Sequence, residues 1–148
     1  MSIKEYIQEN ENRFLEELFG LIRIPSISAL PEHKDDMWAC AERWKTLLLE
    51  AGVDEARVMP SAGNPMVYAE KKVGEGLPTV LVYAHYDVMP AEPLELWKSN
   101  PFEPEIRDGR IWARGADDDK GQAMIQVKAF EYLVRHGLLR HNEIHFRG

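Results

Sequence analysis

His85 and Asp87 stand two positions apart, directly after the apolar run Thr79-Val80-Leu81-Val82-Tyr83. In an extended chain, residues i and i+2 share a face, so this spacing presents an imidazole and a carboxylate side by side. Imidazole is a good zinc ligand, and a neighbouring carboxylate can orient the ring or raise its basicity. Further along, Arg114-Gly115-Ala116 leads into Asp117-Asp118-Asp119. One aspartate there can cap a helix or sit in its first turn, where the helix dipole favours negative charge. Adjacent carboxylates repel one another and capping needs only one, so the surplus suits a nearby cation. A carboxylate can bridge two metal ions, and two metals about 3.5–4 Å apart can together activate a water and polarise a carbonyl. The same residues also allow a plainer reading, with His85 a hydrogen-bonded strand-end histidine, Asp87 a turn residue and the aspartates helix caps.

Any such site needs a strand that ends at His85 and a helix that opens on the aspartates. The run 79–83 is apolar on both faces, which predicts an interior strand of a sheet covered on both sides. Ligands of α/β sheets bind where strands end. A helix is predicted from about Asp118 to Arg135, with Met124, Val127, Leu133 and Val134 turned inward and Gly137 closing it. At the N-terminus, Ser2 and Glu5 fit a capping box. The helix it opens carries Ile3, Tyr6, Ile7, Phe14, Leu15, Leu18, Phe19 and Ile22 on one stripe and ends before Pro25. Ile24 to Ser28 should then be extended, with its isoleucines inward. A second helix is expected over Lys34 to Glu50, burying Met37, Cys40, Ala41, Trp44, Leu47 and Leu48 and ending at Gly52. Short strands are expected at 56–59 and 66–70. A hairpin should turn at Asp108-Gly109, and a last strand should open near Ile144. This order is α/β in class, a mixed sheet flanked by helices.

Composition narrows the function. The 148 residues suit one domain, and the net charge of -7 with a pI near 5.3 argues against binding nucleic acid or an anionic membrane. Carboxylate excess is compatible with a cation site. The single Cys40 allows no intrachain disulfide and no thiolate cluster, and reads as a small core residue. The N-terminus lacks signal-peptide character, and no apolar run approaches the ~18 residues of a membrane span. A cytoplasmic setting is the expectation.

The stretch Tyr83-Ala84-His85-Tyr86-Asp87-Val88-Met89-Pro90, then Trp97, Pro101-Phe102-Glu103-Pro104 and Arg107 through Gly121, resembles the M20 metallopeptidase family, and within it the dipeptidase branch that includes carnosinase-like enzymes. Order and spacing agree, Asp87 to Asp118 being 31 positions. The resemblance implies that His85 is a ligand of one metal, that Asp87 is the catalytic-site aspartate orienting it, and that Asp118 bridges two metals. Asp117 then falls at a variable position, and the peptide after Asp118 should be cis. The implied cofactor is Zn²⁺, two per site, with Mn²⁺ or Co²⁺ tolerated. The implied substrate is a short peptide or an N-acyl amino acid, Trp97 and the Pro-Phe-Glu-Pro loop favouring the dipeptidase branch.

The family's Glu-Glu pair, which holds its catalytic base, has no counterpart after the strand near Ile144; Glu16-Glu17 lies out of order in the first helix. His136, His141 and His145 match no motif position and are expected to be solvated or at the core edge. Residues 1–148 are therefore expected to be the N-terminal part of a single zinc-peptidase-like catalytic domain, incomplete at its C-terminal end and without a lid or dimerisation domain. Taken alone the chain should hydrolyse negligibly and self-associate through an exposed sheet edge. The alternatives are an N-acyl amino acid deacylase of the same family, or a non-catalytic binding or assembly domain keeping the fold.

Overall fold

A computed structural model describes all 148 residues. Helix α1 (Ile3–Ile22) opens on the expected capping box, Ser2 Oγ accepting from the Glu5 N–H while the Glu5 carboxylate accepts from the Ser2 N–H. It stops two residues before Ile24-Pro25, because the residue ahead of a proline is driven out of the helical region. Helix α2 (Lys34–Ala51) follows a short 3₁₀ turn at Pro31–His33 and ends on Gly52, whose φ of 112° suits a residue without Cβ. Helix α3 (Lys120–Arg135) starts two residues later than expected, with Asp119 at its N-cap position.

Strands β1 (Glu55–Met59), β2 (Met66–Lys71), β3 (Thr79–Ala84) and β6 (Asn142–Arg147) form one mixed sheet in the order β1-β2-β6-β3. β6 runs antiparallel to β2 and parallel to β3. Strands β4 (Glu105–Arg107) and β5 (Arg110–Trp112) make the separate hairpin, turning on Asp108 and Gly109, both at positive φ. That is the backbone of the primed turns that Asp-Gly favours.

Strand alternation divides the sheet into two unlike faces. Val67, Ala69, Ala84, His145 and Arg147 lie towards the helices and are buried. Around them gathers a core of 21 residues, with Leu21, Ile22, Trp44, Leu48 and Val127 fully enclosed. On the other face lie Leu81, Tyr83, Ile144 and Phe146, and Tyr83 stacks on Phe146.

Two expectations are corrected here. β3 is an edge strand rather than an interior one, and Leu81 and Tyr83 are 66% and 60% exposed. An apolar run says that a strand could be covered on both faces; its neighbours decide whether it is. His145, placed in solution or at the core edge, is fully buried between Glu143 and Arg147, its ring edge-on to Phe130. The helix-facing side of β6 is thus polar: Glu143 lies against His145, Arg147 lies over the Trp44 ring, and Arg147 Nε is buried without a hydrogen-bond partner. His141 is half-buried against Glu143, and His136 is half-buried against Tyr132.

Candidate metal centre

The alternation of β3 continues past its last ladder residue. Ala84, Tyr86 and Val88 are buried, which leaves His85 and Asp87 together on the opposite side. Tyr86 is the anchor, its hydroxyl donating to the Pro65 carbonyl at 2.5 Å inside the core. Val88 is held from the other direction, by its N–H to the Ser26 carbonyl at 2.8 Å.

The aspartates are brought to this point by the turn that starts α3. Gly115 has φ 80°, and a Cβ there would meet Val88 Cγ1 at 2.8 Å. A Cβ on Gly121 would stand 2.0 Å from the Ala116 carbonyl oxygen, so only glycine lets the first helical turn close on the preceding loop. Lys120, fully buried, donates to the carbonyls of Leu21 and Ile24, both at 2.8 Å. Those carbonyls lie at the C-terminal end of α1 and just past it, each also accepting a backbone N–H, and the ammonium sits where the helix dipole favours positive charge. Burial lowers the Lys120 pKa, with the nearby Cys40, Asp36 and Asp87 opposing. The Asp118–Asp119 peptide is cis, as the family resemblance implied, and so is Glu92–Pro93.

The three aspartates diverge. Asp118 Oδ1 faces His85 Nε2 at 3.0 Å. Asp119 Oδ2 instead accepts the backbone N–H of His85 at 3.1 Å, latching β3's end to the start of α3. Asp117 turns away to Gln122 at 3.4 Å. On the other side of the ring, Asp87 Oδ1 lies 2.8 Å from His85 Nδ1, and Asp87 Oδ2 accepts from Ser28 Oγ at 2.5 Å. A carboxylate only accepts, so each ring nitrogen faces an acceptor, Nδ1 towards Asp87 and Nε2 towards Asp118, and the shorter of the two contacts is the one to Asp87. Burial alone would lower the His85 pKa; the bond to Asp87 and its charge, then Asp119 and Asp118, raise it overall.

His85, Asp87 and Asp118 are thus brought together, whereas Glu16-Glu17 stays on α1 and Glu143 belongs to the His141–His145 cluster. Ser28, Lys120 and the latch by Asp119 were not foreseen. Their contacts join segments 34 to 99 residues apart, and no local pattern marks them. As a test of metal fit, one imidazole nitrogen and one carboxylate oxygen converge at hydrogen-bond distance, and a cation replacing the shared proton would draw on both. That N,O pair suits zinc and its neighbours. No group of three or more His, Cys, Asp or Glu side chains is arranged to hold a metal ion, so these donors fit part of a metal shell. A cleft of about 480 Å³, lined by Trp97, Lys98, Arg107, Trp112 and Asp117, reaches the sequence neighbour of Asp118 but not the donors themselves.

The model of peptidase family M20/M25/M40 matches residues 81–147, which span all of these donors. A cysteinylglycine-S-conjugate dipeptidase of Corynebacterium striatum is 36% identical over 131 residues, covering 86% of this chain and 28% of that protein. A succinyl-diaminopimelate desuccinylase of Xylella fastidiosa is 44% identical over 64 residues, 43% of this chain and 17% of that one. Among solved structures, an M20 family metallo-carboxypeptidase from Sulfolobus solfataricus superposes with a TM-score of 0.82 at 36% identity, covering 90% of this chain and 30% of that one. The chain therefore spans less than a third of the length of these relatives.

Proposed function

We propose, from the premise that this chain is an M20 dipeptidase-like segment, that it supplies part of a metal site for hydrolysing the amide bond of short peptides. The observation that carries this reading is the facing of His85 Nε2 and Asp118 Oδ1 at 3.0 Å, with the far side of the ring held by Asp87 at 2.8 Å. His85 and Asp118 are the metal ligands, Asp118 the one able to bridge two ions, and Asp87 fixes the imidazole. The metal, Zn²⁺ by the donor set, supplies a Lewis acid for the scissile carbonyl and for a water. The chain's own part is to hold the ring through Nδ1 with Nε2 aimed at Asp118, and to keep Asp118, with its side chain 82% exposed, open to the incoming ion and substrate.

Residues 1–148 serve in this reading as the N-terminal part of a catalytic domain in a cytoplasmic enzyme. Two converging donors do not make a metal shell, so the chain alone binds one ion weakly and hydrolyses negligibly. No helix is long and apolar enough to cross a membrane. The free edge of β3, with Leu81 and Tyr83 exposed, supports self-association, for which light scattering is the check.

The test is Zn²⁺ titration of the chain beside His85→Ala and Asp118→Asn, followed by dipeptide hydrolysis in a protein of the relatives' full length carrying this sequence. Binding and turnover should both be lost in each variant. Zn²⁺ uptake indifferent to both substitutions would remove the site. The match to a desuccinylase favours a second reading, an N-acyl amino acid deacylase, and turnover of N-succinyl amino acids in preference to dipeptides would select it.

A further inference from the structure

Ser28 lies in the segment that leaves α1, 59 residues from Asp87 in sequence, yet its hydroxyl bonds Asp87 Oδ2 at 2.5 Å. We propose that Ser28 is a positioning residue for the candidate metal centre, holding one oxygen of Asp87 so that the other fixes the tautomer and aim of His85. The inference rests on the metal-site reading and extends it to a residue outside the histidine–aspartate pair.

The hydroxyl is surplus to the packing of its own segment. Residues 26–28 are already clamped to 86–88 by Val88 N–H to Ser26 O at 2.8 Å, by Ser26 Oγ to Tyr86 O at 2.8 Å, and by the parallel bridge between Ile27 and Val88. Ile27 is buried and anchors the segment by itself. What Ser28 adds is directed only at the carboxylate. Asp87 without it could rotate about its terminal torsion, since such sp² torsions are broad. Asp87 Oδ1 would then no longer face Nδ1 in one fixed geometry, and the proton could move to Nε2, the atom that must stay free to ligate.

A nucleophilic role for Ser28 is excluded by the order of the chain of contacts. Its hydroxyl bonds the carboxylate and not the imidazole, so the serine-to-imidazole contact of a serine hydrolase is not formed. Outer partners of a ligating histidine are worth roughly 10–100-fold in metal affinity. A group one contact further out belongs at the low end, about tenfold.

The experiment compares the chain with Ser28→Ala and Ser28→Thr. The first measurement is made without metal, on the ring ¹⁵N shifts of His85 at alkaline pH where the imidazole is neutral. The second is Zn²⁺ affinity by competition with a chelating dye. The unaltered chain should show the Nδ1–H tautomer alone. Ser28→Ala should show mixed tautomers and about tenfold weaker Zn²⁺ binding, and Ser28→Thr should restore both. Unchanged ring shifts in Ser28→Ala would overturn the proposal. So would unfolding of Ser28→Ala, because the hydroxyl would then be holding the segment instead of the carboxylate. A chain that takes up no Zn²⁺ at all would defeat the functional reading, while the ring shifts would still decide the role of Ser28.

Discussion

Two networks of charged groups tie distant segments together, and they are built on opposite plans. Between α1 and α3, Glu131 is almost wholly buried and accepts from Tyr6 at 2.5 Å, Arg13 at 2.5 Å and Lys128 at 2.8 Å, with Arg135 at 3.3 Å. Glu17 closes the cluster through Arg13 and Lys128. Every carboxylate there has cations of its own. At the end of β3, one imidazole faces Asp87 and Asp118, Asp119 takes only the backbone N–H of His85, and Asp118 stands open to solvent. The first network is satisfied within the protein and holds two helices. The second has more negative charge than the protein answers, which is the condition under which an external cation is useful.

The largest effect should come from breaking the closed network. Glu131→Ala leaves Arg13 and Lys128 with Glu17 as their one remaining shared carboxylate and should cost about 3 kcal/mol in urea unfolding, the low end for a buried pair broken on one side. A loss under about 1 kcal/mol would mean that the network is ornamental to stability. Its pH signature is distinct. Burial by itself would raise the Glu131 pKa, but the bonds from Arg13, Lys128 and Tyr6 bring it down from 4.5 to about 2. Its stabilisation is therefore complete above about pH 4.5 and lost as pH falls towards 2, and Glu131→Gln should flatten that acid limb.

Next in size is Gly121→Ala. Its Cβ meets the Ala116 carbonyl at 2.0 Å, a backbone atom that cannot swing aside as a side chain can. A cost of roughly 1–3 kcal/mol or more is expected, together with weaker Zn²⁺ binding as Asp118 is displaced. Wild-type values for both would show that the loop and helix have room to part.

Asp118→Asn should reverse the pattern of Glu131→Ala, changing stability by less than about 0.5 kcal/mol while Zn²⁺ binding disappears. Thermal unfolding and metal titration on the same sample check the pair, and a large stability loss would place Asp118 with the structural residues. The smallest effect is expected at Leu81→Ser, within about 0.5 kcal/mol, although this leucine sits in the strand that looks most core-like in the sequence. A loss typical of a buried leucine would mean that β3 is covered in solution.

Much of this molecule is readable locally. Ser2 with Glu5, Gly52 and Asp108-Gly109 each satisfy a backbone requirement within a few residues, so α1, α2 and the β4–β5 hairpin follow from the sequence. His85 and Asp87 share a face because Ala84, Tyr86 and Val88 take the other, a consequence of strand period alone. The exposed face of β3 was not readable, because apolar residues state what a strand tolerates and not which strands flank it. Nor was the buried Glu143–His145–Arg147 side of β6, where charged side chains lie against one another and the Trp44 ring across the sheet-helix interface.

The sequence by itself thus determined the kinds of donor, their order along the chain and the strand and helix that end beside them. Which aspartate meets the imidazole was decided by tertiary structure. The three carboxylates are adjacent in sequence, and capping or helix-dipole physics would treat them almost alike. They are separated only by where the α3 start is pinned: by Lys120 on the end of α1, by Gly121 against Ala116, and by Asp119 on the backbone of His85. Those contacts cross from one segment to another, and it is their combined geometry that leaves Asp118 facing the ring.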